Sequence, residues 1–251
     1  MRLLLALAAA TILSLPAHAH EYIVKPSVLR VGAGQSVPVE AVSSHVFITS
    51  QELEDARDSH AGLWADGKRT PIALQPDEGA KLHRGTMQAP SEGCFLVTGQ
   101  RAGQVWSTTP QGTRRVGREA PGAANVRMIE KFSKAVVNAS TGDTGCLKPI
   151  GDKLEIVALT NPADAKPGQD ITVQILLDGK PLTTPVYATY DGFSTEENTY
   201  AYYTEGRPDG TARVRITQPG VWMVRAEHSG AERTAAYDRY VGRAVLVFEV
   251  K

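Results

Sequence analysis

Beyond residue 20, apolar and polar positions alternate in twos over short runs broken by turn residues, which is the pattern of half-buried strands. The chain is therefore expected to be all-β. Tyr22-Ile23-Val24 precedes Pro26, and Val28, Val31, Val37 and Val39 flank Gly32-Ala33-Gly34, so an opening hairpin is expected. Gly32 and Gly34 do not form a phosphate loop, because neither a helical pattern nor Lys-Ser/Thr follows them. Val37, Val39, Ala41, Ser43 and His45 share one strand parity, so a strand that turns its valines inward carries His45 at the end of that face. Trp222, Val224, Ala226 and His228 repeat the arrangement, with Met223, Arg225 and Glu227 pointing the other way.

Asp66-Gly67 lies between Gly62-Leu63-Trp64 and Ile72-Ala73-Leu74 and signals a second hairpin, and residues 93–98 read as a core strand. Residues 107–124, rich in Thr, Gly, Pro and Arg, read as a long loop. Residues 126–137 fit a helix through Ile129, Phe132 and Val136 as well as they fit a strand. The acidic segment 51–60 reads as a solvated loop or short helix rather than a carboxylate site. Near residue 150 the pattern restarts, and the strands that follow number about seven, as an immunoglobulin-like sandwich of roughly 100 residues requires. The expectation is two β-sandwich domains, 20–150 and 151–251.

The first nineteen residues differ from the rest. Arg2, the apolar run from Leu3 to Leu15 and Ala17-His18-Ala19 have the order of a secretory signal peptide, with cleavage after Ala19 favoured over cleavage after Ala17. The expected location is periplasmic. No other run approaches the roughly 20 apolar residues of a membrane helix, so no transmembrane segment is expected in the mature chain. The chain has 251 residues, 27 basic against 27 acidic, and 42% apolar composition, which excludes disorder and a coiled coil. Without a basic block there is no electrostatic drive toward nucleic acid. Cys94 and Cys146 are the two cysteines, and export makes a structural disulfide the expected reading. Asn138-Ala139-Ser140 matches a glycosylation acceptor pattern that carries no information in a chain of bacterial character.

Cleavage after Ala19 would start the mature chain at His20-Glu21-Tyr22. A free amine and an imidazole on one residue then form a bidentate chelator, and the amine, with an ordinary pKa of about 7.7 to 8.0, yields its proton to a metal near neutral pH. Nitrogen donors favour nickel, cobalt or copper over hard cations. His45 and His228, each ending the inward face of a strand, are the imidazoles expected to complete the site, with Tyr22 beside it. Nothing resembling G-x-S-x-G, H-E-x-x-H or a catalytic carboxylate pair is present, so no enzyme activity is expected. A copper oxygenase would share the terminal His but needs an open position that a third imidazole would fill.

His20-Glu21-Tyr22, residues 44–47, 131–138, 178–182, 188–193 and 220–228 together resemble a bacterial periplasmic family labelled nickel uptake transporter family protein. The resemblance implies two β-sandwich domains, the second transthyretin-like. It also implies a divalent transition-metal ion held by His20, His45 and His228, and delivery to a membrane metal permease or outer-membrane receptor. Ser44 stands where such proteins show Gly. The competing reading is a non-catalytic scaffold module that contacts an envelope protein or polysaccharide through the clustered Tyr187, Tyr190, Phe193, Tyr200, Tyr202 and Tyr203.

Overall fold

The computed structural model describes residues 20–90, 93–138 and 142–251. The expected signal peptide and the Ala139-Ser140 pair of the acceptor pattern lie outside them. One large sheet forms the middle layer. Its order is β14 (Tyr202–Glu205), β13 (Pro185–Tyr190), β16 (Gly220–Ala231), β17 (Arg239–Val250), β9 (Ala124–Val137), β7 (Phe95–Thr109), β3 (Ser59–Ala65) and β4 (Lys68–Ile72), with β8 (Gly112–Arg114) folded onto β7. A sheet of β1 (Glu21–Pro26), β2 (Ser36–Ser44), β6 (Leu82–Gln88) and β5 (Gln75–Asp77) covers one face. The other face carries β10 (Leu154–Ala158), β11 (Asp170–Leu177), β12 (Lys180–Pro181) and β15 (Thr211–Arg215).

Strand alternation builds both cores from the same strands. In β9, Phe132 and Val136 pack with β10, β11 and β15, while Ala135 and Val137 pack with β1 and β2. In β16, Trp222, Val224 and Ala226 serve the first core and Met223 the second. Complete burial of a large side chain such as Phe248 contributes about 1.5–3 kcal/mol. The pairings are antiparallel except for β17 with β9, which is parallel from Arg239↔Arg127 to Val247↔Ala135. This parallel seam joins chain on both sides of residue 150. The two expected sandwiches, 20–150 and 151–251, thus share one continuous sheet.

The shared sheet also accounts for two departures from the sequence pattern. Residues 126–137 form a strand, and residues 131–137 are buried on both faces, which erases the alternation that would have identified it. Residues 107–124 are not one loop, since β7 continues to Thr109 and turns back through β8 before a shorter connection. The hairpin signals hold. Asp66 and Gly67 take φ of 51° and 76° between β3 and β4, and Asp178 and Gly179 take 49° and 72° between β11 and β12, the left-handed pair of a two-residue turn.

Cys94 and Cys146 form the expected disulfide, with a sequence separation of 52, tying the start of β7 to the connection before β10. Nearby, the Lys134 ammonium in β9 reaches the Glu155 carboxylate in β10 at 2.8 Å, and both are buried. Glu155 also accepts the Ile150 and Gly151 N–H groups. Burial pushes the Lys134 amine pKa down. Removing one partner of such a pair costs about 3–5 kcal/mol, so the contact locks the second outer sheet in place.

Candidate functional site

The β1–β2 ladder pairs Glu21 with Ser44 and Tyr22 with Ser43. One further step sets His20 opposite His45. Their ring centroids are 3.9 Å apart with the planes tilted by 31°. Beyond His45, a tight turn through Ile48, whose φ is +57°, doubles the chain back so that Glu52 bridges to Ser43. The Glu52 carboxylate then lies 2.9 Å from His20 Nδ1. That hydrogen bond holds the Glu52 carboxyl below the usual carboxylate range. His20 is 21% exposed, so the pair is shielded but open to solvent.

The acidic segment 51–60 is a loop leading into β3, as one of its expected forms allowed, but it is more than a solvated one. Glu52 touches His20, and Glu54 accepts from Ser43 Oγ at 3.0 Å and from the buried Lys131 at 2.7 Å. Both carboxylates line a cavity of about 320 Å3 with His20. The floor comes from the large sheet. β9 supplies Arg127, Ile129 and Lys131 on one parity, and β7 supplies Arg101, Gln104 and Trp106, with Thr113 at the β8 edge. A bulge between Arg101 and Gln104 shifts the β7 register by one residue. This puts Gln104 and Trp106 on the same side as Arg101, where an unbroken strand would turn them away.

The electrostatics of the floor are unbalanced. Arg101 is 2% exposed, with its Nε 3.9 Å from Glu54, and burial pushes its pKa down. Lys131 is similarly lowered by burial. The Nε atoms of Arg101 and Arg127 are buried without a hydrogen-bond acceptor. Below the His pair, Tyr22 is 1% exposed, a core residue whose hydroxyl pKa burial pushes up. Beside it, Glu21 bonds Arg225 of β16, fastening the start of β1 to the large sheet.

His228 is not part of this group. It continues the Trp222, Val224, Ala226 parity of β16, which faces the sheet of β10, β11 and β15. Its ring lies 6.4 Å from that of Tyr240. His20 and His45 lie on the opposite face, so the middle layer separates His228 from them. The expected three-imidazole set is corrected to a pair. Among the described residues, no group of three or more His, Cys, Asp or Glu side chains is arranged to hold a metal ion. The aromatic cluster divides: Tyr187 lies 5.1 Å from Tyr200 and 5.2 Å from Tyr203, which is 51% exposed, whereas Tyr190 packs with Phe193 and Trp222 at 5.2 and 4.9 Å and Tyr202 joins the core that holds Trp222.

Sequence reasoning missed Arg101, Arg127 and Lys131. For Arg127 and Lys131 the signal was two basic residues on one strand parity, either side of Ile129, in a stretch otherwise fit for a core; Arg101 left none. Among the described residues, no helix is long and apolar enough to cross a membrane. A family model described as "Domain of unknown function (DUF4198)" matches residues 17–230. Among curated proteins, none matches the chain. Solved structures similar to it include the D0-D1 domain of Intimin, at 13% identity and TM-score 0.23, covering 91% of this chain and 97% of that one. A putative membrane anchored protein from Corynebacterium diphtheriae is 11% identical over 92% of this chain, with TM-score 0.26. The Yersinia pseudotuberculosis adhesin InvE is 10% identical over 91%, with TM-score 0.21. The chain spans 58% of each of the latter two.

Proposed function

We propose that this chain, which belongs to the DUF4198 family, captures a divalent transition-metal ion in the periplasm at the His20–His45 pair and hands it to an uptake system. The observation that carries the reading is the 3.9 Å approach of two imidazoles that stand 25 positions apart in sequence. Processing after Ala19 would add the His20 main-chain amine, bringing the set to three nitrogen donors. Such a set suits nickel, cobalt or copper. The two rings and the amine supply the nitrogen donors that an ion of this class prefers. His228 does not.

The chain's own groups have defined parts. Glu52 engages His20 Nδ1, the ring nitrogen that closes a chelate with the main-chain amine, so it orients the ring before loading and gives way to the ion when it binds. Loading displaces protons from the amine and from any charged ring, so capture weakens as pH falls. Glu21, bonded to Arg225, keeps the terminal residue from fraying away from His45. The ion serves as cargo, and the reading is of a carrier rather than an enzyme. The resemblance to nickel uptake proteins supports a membrane permease or outer-membrane receptor as the recipient.

The test is His45→Ala in a chain that begins at His20, titrated with nickel and with copper by calorimetry. A loss of at least about tenfold in affinity, roughly 1.4 kcal/mol, is expected. Unchanged affinity for both ions would overturn the reading.

A further inference from the structure

We infer that the cavity beside His20 binds a small organic di- or tricarboxylate, so that the ion arrives as a carboxylate chelate rather than bare. The proposal rests on the metal reading for the ion but stands independently for the anion. Three basic side chains, Arg101, Arg127 and Lys131, line the cavity against two carboxylates, Glu52 and Glu54. Both carboxylates are already engaged, Glu52 by His20 and Glu54 by Lys131. Arg127 is the surplus cation, Arg101 shares Glu54 only at a long 3.9 Å, and the Nε of each is buried without a hydrogen-bond acceptor.

A buried donor without a partner is costly, and guanidinium groups match carboxylates in shape as well as charge. A dication bound at His20 would add to the positive excess instead of relieving it. An anion that travels with the ion removes the conflict, since its carboxylates face the arginines while the ion faces the imidazoles. The volume of about 320 Å3 lies at the lower end of the roughly 300–1,000 Å3 typical of ligand pockets, which suits a molecule of citrate size. Trp106 and Ile129 supply an apolar wall for its carbon skeleton.

Calorimetry on the chain beginning at His20 tests this with three probes: citrate alone, nickel chloride alone and an equimolar nickel–citrate mixture. Citrate alone is expected to bind with a dissociation constant of about 1 mM or tighter. Arg127→Gln should weaken citrate about tenfold and leave nickel chloride unchanged. Thr113→Glu, which adds a carboxylate at the exposed cavity edge, should do the same without disturbing the buried floor. Absence of citrate binding, or unaltered citrate affinity in both variants, overturns the anion site while nickel binding stands. Citrate binding without nickel binding supports the anion site and removes the metal reading instead.

Discussion

Val24 lies directly on Gly99. A Cβ placed on Gly99 would come within 2.7 Å of the Val24 Cβ, and Ser133 is at 3.3 Å on the next strand. β1 therefore crosses the large sheet at Gly99, one of the two glycines of β7. This crossing brings the His20 end of β1 to the cavity.

Gly99→Ala is expected to destabilise the fold by about 1–3 kcal/mol through overpacking, a drop of about 2–4 °C in melting temperature for each kcal/mol at this chain length. Lifting β1 also moves His20, so nickel affinity should fall. Val24→Ala combined with Gly99→Ala should recover part of both. Thermal melts and nickel titrations on the single and double variants check this, and a neutral Gly99→Ala would contradict the crossing.

The all-β class, the opening hairpin, the Asp-Gly turns and the disulfide were legible because each depends on neighbours in sequence or on a single pair of residues. The inward parity of His45 was legible for the same reason. His228 shows the limit. Its parity was read correctly, but parity names a face of a strand and not which face of which layer. Because β17 pairs with β9 across residue 150, the sheet holding His228 is the same sheet whose other side meets His20. That long-range parallel pairing leaves no local trace. The cavity was hidden in a similar way: a bulge in β7 redirects Gln104 and Trp106, and the doubled-back acidic loop brings Glu52 and Glu54 over β9. The facing of His20 and His45 itself follows from the β1–β2 register, which the hydrophobic pattern restricts only to within two residues.

His228→Ala is expected to leave nickel and copper affinity unchanged, because the middle sheet stands between its ring and the His20–His45 pair. Its cost should appear in stability alone. Parallel calorimetric titration and chemical denaturation separate the two effects, and a loss of metal affinity at constant stability would reinstate His228 as a ligand.

His83 in β6 is 1% exposed, and its Nε2 has no hydrogen-bond partner. Burial lowers its pKa below the ordinary imidazole value, against the opposing pull of Glu54 and Asp55. Below pH about 6.5 the unfolded chain takes up a proton that the folded chain resists, so stability falls as pH drops through that value. Above it the effect vanishes. The slope from this one group cannot exceed about 1.4 kcal/mol per pH unit. Urea denaturation at pH 5, 6, 7 and 8 should show that decline, and His83→Leu should flatten it; an unchanged profile in the variant would assign the decline to other groups.

The most direct measurement of the central claim compares two chains that differ only at the start, one beginning at His20 and one carrying a single additional Ala before it. The added residue leaves both imidazoles, Glu52 and the cavity in place and converts the chelating amine into an amide. Copper and nickel titrations under identical conditions are expected to show affinity at least about tenfold weaker in the extended chain. Equal affinities in the two chains would contradict the claim that the processed terminus and His45 together hold the ion.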